Sequence, residues 1–239
     1  MSKILCLETA TDVCSVCISE NGSVISARES GNERSHALQL AVFIDEILKE
    51  SGIEIKNLDA VAISRGPGSY TGLRIGVSTA KGLCYGSGKP LISISTLQSM
   101  CYGVPESYMK ENKLENFYFA PMLDARRMEV YSAVYSKDKT VVEDISAVII
   151  EDDSFNKYLD EKPVVFFGDG AEKTKEILNH PNAFFFDDFK HSSQFMNVLA
   201  HQKFEEEKFE DVAYFEPFYL KDFITTTSTK NILFPGGKK

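Results

Sequence analysis

A glycine-rich stretch between Ser64 and Leu83 constrains the fold more than any other part of this chain. It connects an apolar run, residues 58–63, to an amphipathic segment through a loop that contains Pro67 and several glycines. Proline fixes its own φ angle and glycine adopts backbone angles closed to other residues, so this loop predicts a tight turn from a strand into a helix. Ser69 or Thr71 can cap that helix.

Small residues recur along one side of the predicted helix. Gly72, Gly76 and Ala80 are each four positions apart, which places them in one row. A glycine inside a helix costs about 1 kcal/mol relative to alanine. Close packing against a second helix is the expected compensation.

The preceding apolar segment, residues 35–50, predicts a helix whose apolar surface is wider than the single stripe that a surface helix needs. Either this helix is deeply buried in its own domain, or one side packs on its own sheet and another side meets a partner. The row of small residues on the next helix favours a partner. The predicted partner surface comprises Leu38, Val42, Gly72, Leu73, Gly76, Val77, Ala80 and Leu83.

Charge and hydropathy exclude some classes of function. The chain carries a net charge of −9, from 26 basic and 35 acidic residues, and an acidic protein is a poor stand-alone binder of nucleic acid. No apolar run approaches the length of a membrane span. The first residues lack the apolar stretch and cleavage site of a signal peptide. We therefore expect a cytoplasmic protein with no membrane partner.

The two halves of the chain show the same order of predicted elements, βββαβαβα, with a glycine turn after the fourth strand of each. The predicted strands of the first half are residues 4–7, 14–19, 24–28, 58–63 and 91–94. Its predicted helices are residues 35–50, the helix that follows the glycine loop and ends near residue 85, and a helix that begins at Thr96. The predicted strands of the second half are residues 117–123, 129–135, 141–150, 164–167 and 183–186, and its helices are 154–159, 173–178 and 193–208. A polar linker is expected near residues 103–116.

This order is typical of a ribonuclease-H-like domain, and two tandem copies are typical of the actin-like α/β architecture. We predict a first domain at residues 1–103 that carries the assembly helices, a smaller second domain at 104–225, and a flexible tail at 226–239. Proteins of this architecture hold nucleotide phosphates between turns from the two halves. By this analogy alone, vestigial phosphate turns are predicted at Glu8, Thr9 and Asp12, and at Asp124 and Arg126.

Four blocks of sequence carry a resemblance to a known family. In chain order they are LETAT, SRGPGSYTGLRIGVSTAKGL, LDARRMEVYSAVY and PFYLKD, and the match extends from Ile4 to about Phe223. The GPGSYTGLRIG block is specific to the TsaB (YeaZ) family, and the other blocks support that resemblance.

The resemblance implies a part in the bacterial machinery that makes threonylcarbamoyladenosine in tRNA, beside the anticodon. In that machinery TsaD performs the transfer, TsaB pairs with TsaD as an inactive paralogue, and TsaE is a P-loop ATPase that joins them. The resemblance therefore implies that this chain is a non-catalytic partner of a TsaD-like transferase. It also implies that this chain needs no cofactor, forms a homodimer when alone and reaches tRNA only through the complex.

The metal site of TsaD-like proteins is not matched here. Such proteins carry an HxxxH motif after the strand that follows the glycine-rich helix, and Thr96 and Met100 occupy the two histidine positions. A threonine hydroxyl and a thioether are poor ligands for Zn²⁺ or Fe²⁺. We expect no bound metal, which also disfavours a zinc peptidase.

An enzyme is the alternative function, namely a compact actin-like ATPase or small-molecule kinase. Glu8 and Asp12 could serve its first turn, and residues 168–170 could be a remnant of an adenosine loop. Against this, Arg126 and Arg127 replace the small residues that let phosphates approach a turn. These arginines could contact a phosphate of nucleotide or tRNA, or form ion pairs with the acidic residues nearby.

Two further chemistries have weak support. A nucleophilic Ser69 would need a histidine base, and His36 is the only histidine of the first half. Cys14 and Cys17 form a CxxC pair without a second pair. If this segment is a strand, the two thiols lie on opposite faces and serve as core residues.

Overall fold

The computed structural model describes residues 2–30 and 36–221. The predicted helix start at Ser35 and the predicted tail, 226–239, lie outside the described residues.

Five strands of the first half form one mixed sheet, in the order β3-β2-β1-β4-β5. β1 is antiparallel to β2 and parallel to β4. Asn21 and Gly22 have φ angles of 50° and 77°, which suits the tight hairpin turn predicted there. The strands are β1 (Lys3–Glu8), β2 (Cys14–Glu20), β3 (Ser23–Ser30), β4 (Ala60–Gly66) and β5 (Leu91–Ser95).

The second half forms a second five-stranded sheet, in the order β10-β9-β6-β7-β8. The first strand of each half therefore lies at the centre of its sheet, between its second and fourth strands. This shared order confirms the prediction of two tandem ribonuclease-H-like domains in an actin-like architecture. The strands are β6 (Tyr118–Asp124), β7 (Glu129–Ser136), β8 (Val141–Ile149), β9 (Val164–Phe167) and β10 (Ala183–Phe186).

The described part of the chain contains six α-helices, and none of them is long and apolar enough to cross a bilayer. The longest begins where predicted, since Ser69 accepts a hydrogen bond from Gly72 N at 3.3 Å. The helices are α1 (His36–Ser51), α2 (Tyr70–Ser87), α3 (Thr96–Met100), α4 (Glu106–Glu111), α5 (Asn156–Leu159) and α6 (Asn197–Glu205).

Three predictions about helices need correction. The segment 173–178 forms only a short 3₁₀ turn, Glu172–Thr174, and the predicted linker contains α4. The last predicted helix starts as a 3₁₀ turn, Ser193–Met196, and becomes α-helical at Asn197. Helices this short are stabilised by tertiary contacts, which periodicity does not reveal.

The first sheet is covered on both faces. α1 and α2 pack on one face, where Leu40, Ile44 and Ile47 of α1 join the odd-numbered core residues of β1 and β4. Leu199 and Ala200 of α6 pack on the other face.

The two halves exchange their last helices. Leu97 and Met100 of α3, which follows the first sheet, pack in the core of the second sheet. α6, which follows the second sheet, packs on the first. The division of the chain at residues 103 and 104 stays a prediction, but the cores of the two halves depend on each other.

A C-terminal strap, residues 211–221, crosses the first half. Lys81 of α2 donates hydrogen bonds to Ala213 O and Phe215 O, at 3.2 and 2.9 Å. Phe218 N donates to the carbonyl of Arg65 at 2.7 Å. The strap therefore holds α2 and the glycine loop in place.

Candidate functional site

The first predicted phosphate turn begins with a buried carboxyl group. Glu8 is 0% exposed, and its Oε1 accepts hydrogen bonds from Ala10 N at 2.6 Å and Ser64 Oγ at 2.9 Å. Its Oε2 has no partner among the described residues. Burial raises the pKa of Glu8 to about 7, although these hydrogen bonds oppose the shift. Glu8 is thus committed to the fold of the turn and is not presented to a ligand.

The glycine loop packs directly on this turn. Ser69 N donates to Ala10 O at 2.6 Å, and Thr9 Oγ1 donates to Gly72 O at 2.8 Å. A Cβ atom on Gly68 would overlap Ala10 O, and one on Gly72 would overlap Thr9 O. The glycines of the family-specific block therefore allow a close approach inside the chain.

The row of small residues on α2 faces the sheet of its own domain. A Cβ atom on Gly76 would overlap Thr9 Oγ1 and lie 2.9 Å from Ile63 Cδ1. Ala80 is 0% exposed. The prediction that this row meets a partner helix is wrong, because the small residues instead let α2 approach β1 and β4. The partner-surface residues buried in this way are Gly72, Leu73, Gly76, Val77 and Ala80.

Leu38 and Val42 of the predicted partner surface lie on the outer side of α1. They are 75% and 50% exposed. Leu83 of α2 is only half-buried and packs at the margin of the core. These three positions remain candidates for the surface that meets a partner.

The outer side of α2 carries a second row of small residues. Ser78, Gly82 and Gly86 are exposed, and a Cβ atom on either glycine would meet nothing within 4 Å. Tyr85, at the same end of the helix, is 88% exposed. The sequence analysis did not identify this row, although its members are four positions apart in the sequence. We name the outer sides of α1 and α2, with Leu38, Val42, Ser78, Gly82 and Tyr85, the outer helix face.

The second predicted phosphate turn follows β6. Asp124 Oδ1 accepts a hydrogen bond from Arg126 N at 2.9 Å and pairs with Lys173. Partial burial acts to raise the pKa of Asp124, but the hydrogen bonds from Lys173 and Arg126 N outweigh it and the pKa is lowered. The backbone N of Asp124 donates to Asp169 Oδ1 at 3.1 Å.

The two turns approach each other at Asp169. Burial raises the pKa of this carboxyl group, and the negative charges of Asp124 and Asp12 raise it further. Asp12, Asp124 and Asp169 thus bring three carboxyl groups to the space between the turns, where the ammonium of Lys173 is paired with Asp124. Glu8 and Thr9 lie beneath this space, within the fold.

The positions that correspond to metal ligands in TsaD-like proteins are filled by core contacts. Thr96 and Met100 are both 0% exposed. Thr96 Oγ1 accepts a hydrogen bond from Gly66 N at 3.1 Å, and Met100 Cε lies 2.6 Å from where a Cβ atom on Gly168 would stand. In the described part of the chain, no three His, Cys, Asp or Glu side chains are placed to share a metal ion.

The remaining candidate groups have structural roles. His36 Nε2 lies 3.3 Å from Val13 O, and Ser69 Oγ serves as the cap of α2. His191 is buried, which lowers its pKa to about 3 and keeps it neutral. All five cysteines are buried, with Cys14 and Cys17 in the cores on opposite faces of the first sheet.

The chain matches the family model described as "TsaD: tRNA N6-adenosine threonylcarbamoyltransferase" over residues 29–238. It is 37% identical over 136 residues to a Haemophilus influenzae protein named "tRNA threonylcarbamoyladenosine biosynthesis protein TsaB", a stretch covering 57% of this chain and 55% of that protein. The Escherichia coli protein of the same name is 34% identical over a stretch that covers 57% of this chain and 56% of that protein. The matched stretch thus spans little more than half the length of these relatives.

A solved Pseudomonas aeruginosa structure, described as similar to peptidase YeaZ, shares the fold with a TM-score of 0.78 at 24% identity. The likeness covers 92% of this chain and 100% of that one. Because the family model spans most of the chain, the chain belongs to the family that this model describes, within its TsaB (YeaZ) branch.

Proposed function

We propose that this protein is a non-catalytic subunit in the biosynthesis of threonylcarbamoyladenosine in tRNA, and that it acts by pairing with a TsaD-type transferase. The observation that carries the proposal is the outer helix face. Leu38 and Val42 of α1 expose large apolar side chains, and the neighbouring helix α2 exposes a row of small residues. Clustered exposed apolar residues are typical of protein interfaces.

The outer helix face suits a pair of partner helices. Gly82 and Gly86 leave open space above α2, which lets a partner backbone approach closely. Leu38 and Val42 can then fill the groove between the partner helices. When the protein is alone, a second copy can present the same face, which is the geometry of a two-fold homodimer.

The two predicted phosphate turns support the non-catalytic part of the proposal. The carboxyl group of Glu8 is buried in the fold of the first turn. The ammonium of Lys173, beside the second turn, is engaged by Asp124. Thr96 and Met100 fill the positions of the metal ligands with core contacts. We therefore assign ATP hydrolysis to a TsaE-type P-loop partner and transfer to the TsaD-type partner, with tRNA bound by the complex.

The test is assembly with the TsaD-type protein of the same organism. Size-exclusion chromatography with light scattering should give the mass of a heterodimer. The variant Leu38→Asp/Val42→Asp should weaken assembly by at least about tenfold, because burying unpaired carboxylates is costly. Its melting temperature should be unchanged, since both positions are exposed in the monomer.

Val141→Asp/Ile149→Asp is the matched control, because these side chains are 55% and 66% exposed on the distant strand β8. It should assemble like the wild type. Wild-type assembly by the Leu38→Asp/Val42→Asp variant would show that the outer helix face is not the interface.

A further inference from the structure

The hairpin loop between β6 and β7 carries two adjacent arginines in an unusual backbone conformation. Arg126 and Arg127 have φ angles of 70° and 51°, where glycine and asparagine are the favoured residues. Both side chains are exposed. Tight hairpin turns require positive φ at both central residues, so the turn explains the backbone of this loop, residues 125–128, but not why two exposed arginines occupy it.

The loop is held from beneath. Lys173 Nζ donates hydrogen bonds to Arg127 O and Glu129 O, both at 2.7 Å, and pairs with Asp124. Asp124 in turn accepts from Arg126 N. The backbone that carries the two arginines is thus ordered before any ligand arrives, which lowers the entropic cost of binding.

Both guanidinium groups remain available. Within residues 2–30 and 36–221, neither Arg126 nor Arg127 forms a side-chain hydrogen bond or an ion pair, although the chain carries an excess of nine acidic charges. Arg126 acts on Asp124 only at longer range. A guanidinium group presents a planar fork of donors that matches the oxygens of a phosphate group.

The location of these arginines favours a polyanion that approaches from outside. The ammonium of Lys173 is paired with Asp124, so this cation between the turns is not free to bind the phosphates of a nucleotide. Arg126 and Arg127 lie in the hairpin loop itself, and their side chains are exposed to solvent. A backbone phosphate of a nucleic acid can reach this loop without entering the space between the turns.

We propose that Arg126 and Arg127 contact backbone phosphates of RNA in the assembled complex. The proposal rests on the proposed function, because an acidic chain with two free arginines cannot hold RNA alone. Contacts of this kind position the RNA and add affinity, and they carry no base specificity. We therefore expect the contribution to appear only when this chain is assembled with the TsaD-type partner.

The test uses a variant that removes the guanidinium groups and keeps the backbone. Arg126→Gly/Arg127→Gly places glycine at two positions with positive φ, so the loop should fold at least as well as in the wild type. The assembled complex is titrated with unmodified tRNA at several salt concentrations. We expect tRNA affinity to fall roughly tenfold, and the slope of log affinity against log salt to decrease by about 1.5 to 2.

Two further variants sharpen the comparison. Arg126→Lys/Arg127→Lys keeps both charges and should retain the salt slope while losing part of the affinity, because lysine lacks the fork. Lys113→Ala/Lys190→Ala removes two exposed cations elsewhere in the second half and should leave the slope unchanged.

Each other result counts against the proposal. Wild-type affinity and slope in a glycine variant that assembles would overturn it, and the proposed function would stand. A glycine variant that no longer assembles would show that the hairpin loop binds the protein partner. Loss of ATP or pyrophosphate binding with tRNA binding intact would identify a free phosphate ligand instead. Failure of the wild type to assemble, seen by light scattering before RNA is added, would contradict the proposed function and this proposal with it.

Discussion

At the scale of single residues, Glu8 shows how a polar residue can be part of a core. Its carboxyl group ties the β1–β2 turn to β4 through Ala10 N and Ser64 Oγ. Ala10 O in turn accepts the hydrogen bond from Ser69 N that starts α2. A residue that resembles a ligand-binding acid in the sequence is therefore a structural link between the turn and the glycine loop.

The pKa of Glu8 leads to a prediction about stability. Its folded value is about 7 against an ordinary value of 4.5, so ionisation is less favourable in the fold than in the unfolded chain. The contribution of Glu8 to the free energy of unfolding should be greatest below pH 4.5 and should fall as the pH rises from there through 7, by on the order of 3 kcal/mol. Glu8→Gln, which stays neutral, should lack this dependence.

Urea denaturation of the wild type and Glu8→Gln at pH 5.5 and pH 8 measures the effect. The lowered pKa of His191 makes its own contribution to stability increase as the pH rises. This contribution is the same in both proteins, so the difference between them isolates Glu8. Glu176→Gln, at an exposed carboxylate, is the control. Parallel pH profiles for the wild type and Glu8→Gln would contradict the prediction.

At the scale of elements, α2 has two rows of small residues with different roles. Gly72, Gly76 and Ala80 form the inner row, which packs against Thr9 and β4, and Ser78, Gly82 and Gly86 form the outer row. The inner row sets how closely the helix approaches its sheet. The outer row leaves space that a partner helix can use.

The same substitution in the two rows should have opposite effects. Gly76→Ala forces a methyl group against Thr9 and should lower the free energy of unfolding by about 1–3 kcal/mol. Gly82→Ala adds a methyl group in open space and should raise it by up to about 1 kcal/mol. Thermal melts of both variants give the comparison. Stabilisation by Gly76→Ala would show that α2 does not pack as described.

At the scale of the whole molecule, the halves interlock. α3 packs in the core of the second sheet and α6 covers the first. The strap adds an ion pair between Lys221 and Glu129 of β7. Since each core is completed by residues from the other half, we expect one cooperative unfolding transition.

A fragment of residues 1–103 should therefore fail to fold on its own. Without α6 it exposes an apolar sheet face that includes Ile4, Ile92 and Ile94, and burial of such a face supplies much of the folding free energy. Near-ultraviolet circular dichroism and hydrogen exchange should show no native packing. A chain ending at Lys221, which retains α6 and the strap, is the control and should melt cooperatively. A fragment 1–103 with a sharp melt would show that the halves are independent.

The order of strands and helices was predictable from the sequence, because hydrophobic periodicity and glycine turns are local signals. The glycine block was also enough to suggest the family. The sequence did not show which row of α2 faces inward, since residues spaced by four share a side of a helix whichever way that side points. The exchange of α3 and α6, and the approach of Asp12 to Asp169, join residues far apart in the chain. Such contacts depend on how the sheets pack, so only the tertiary structure decided them.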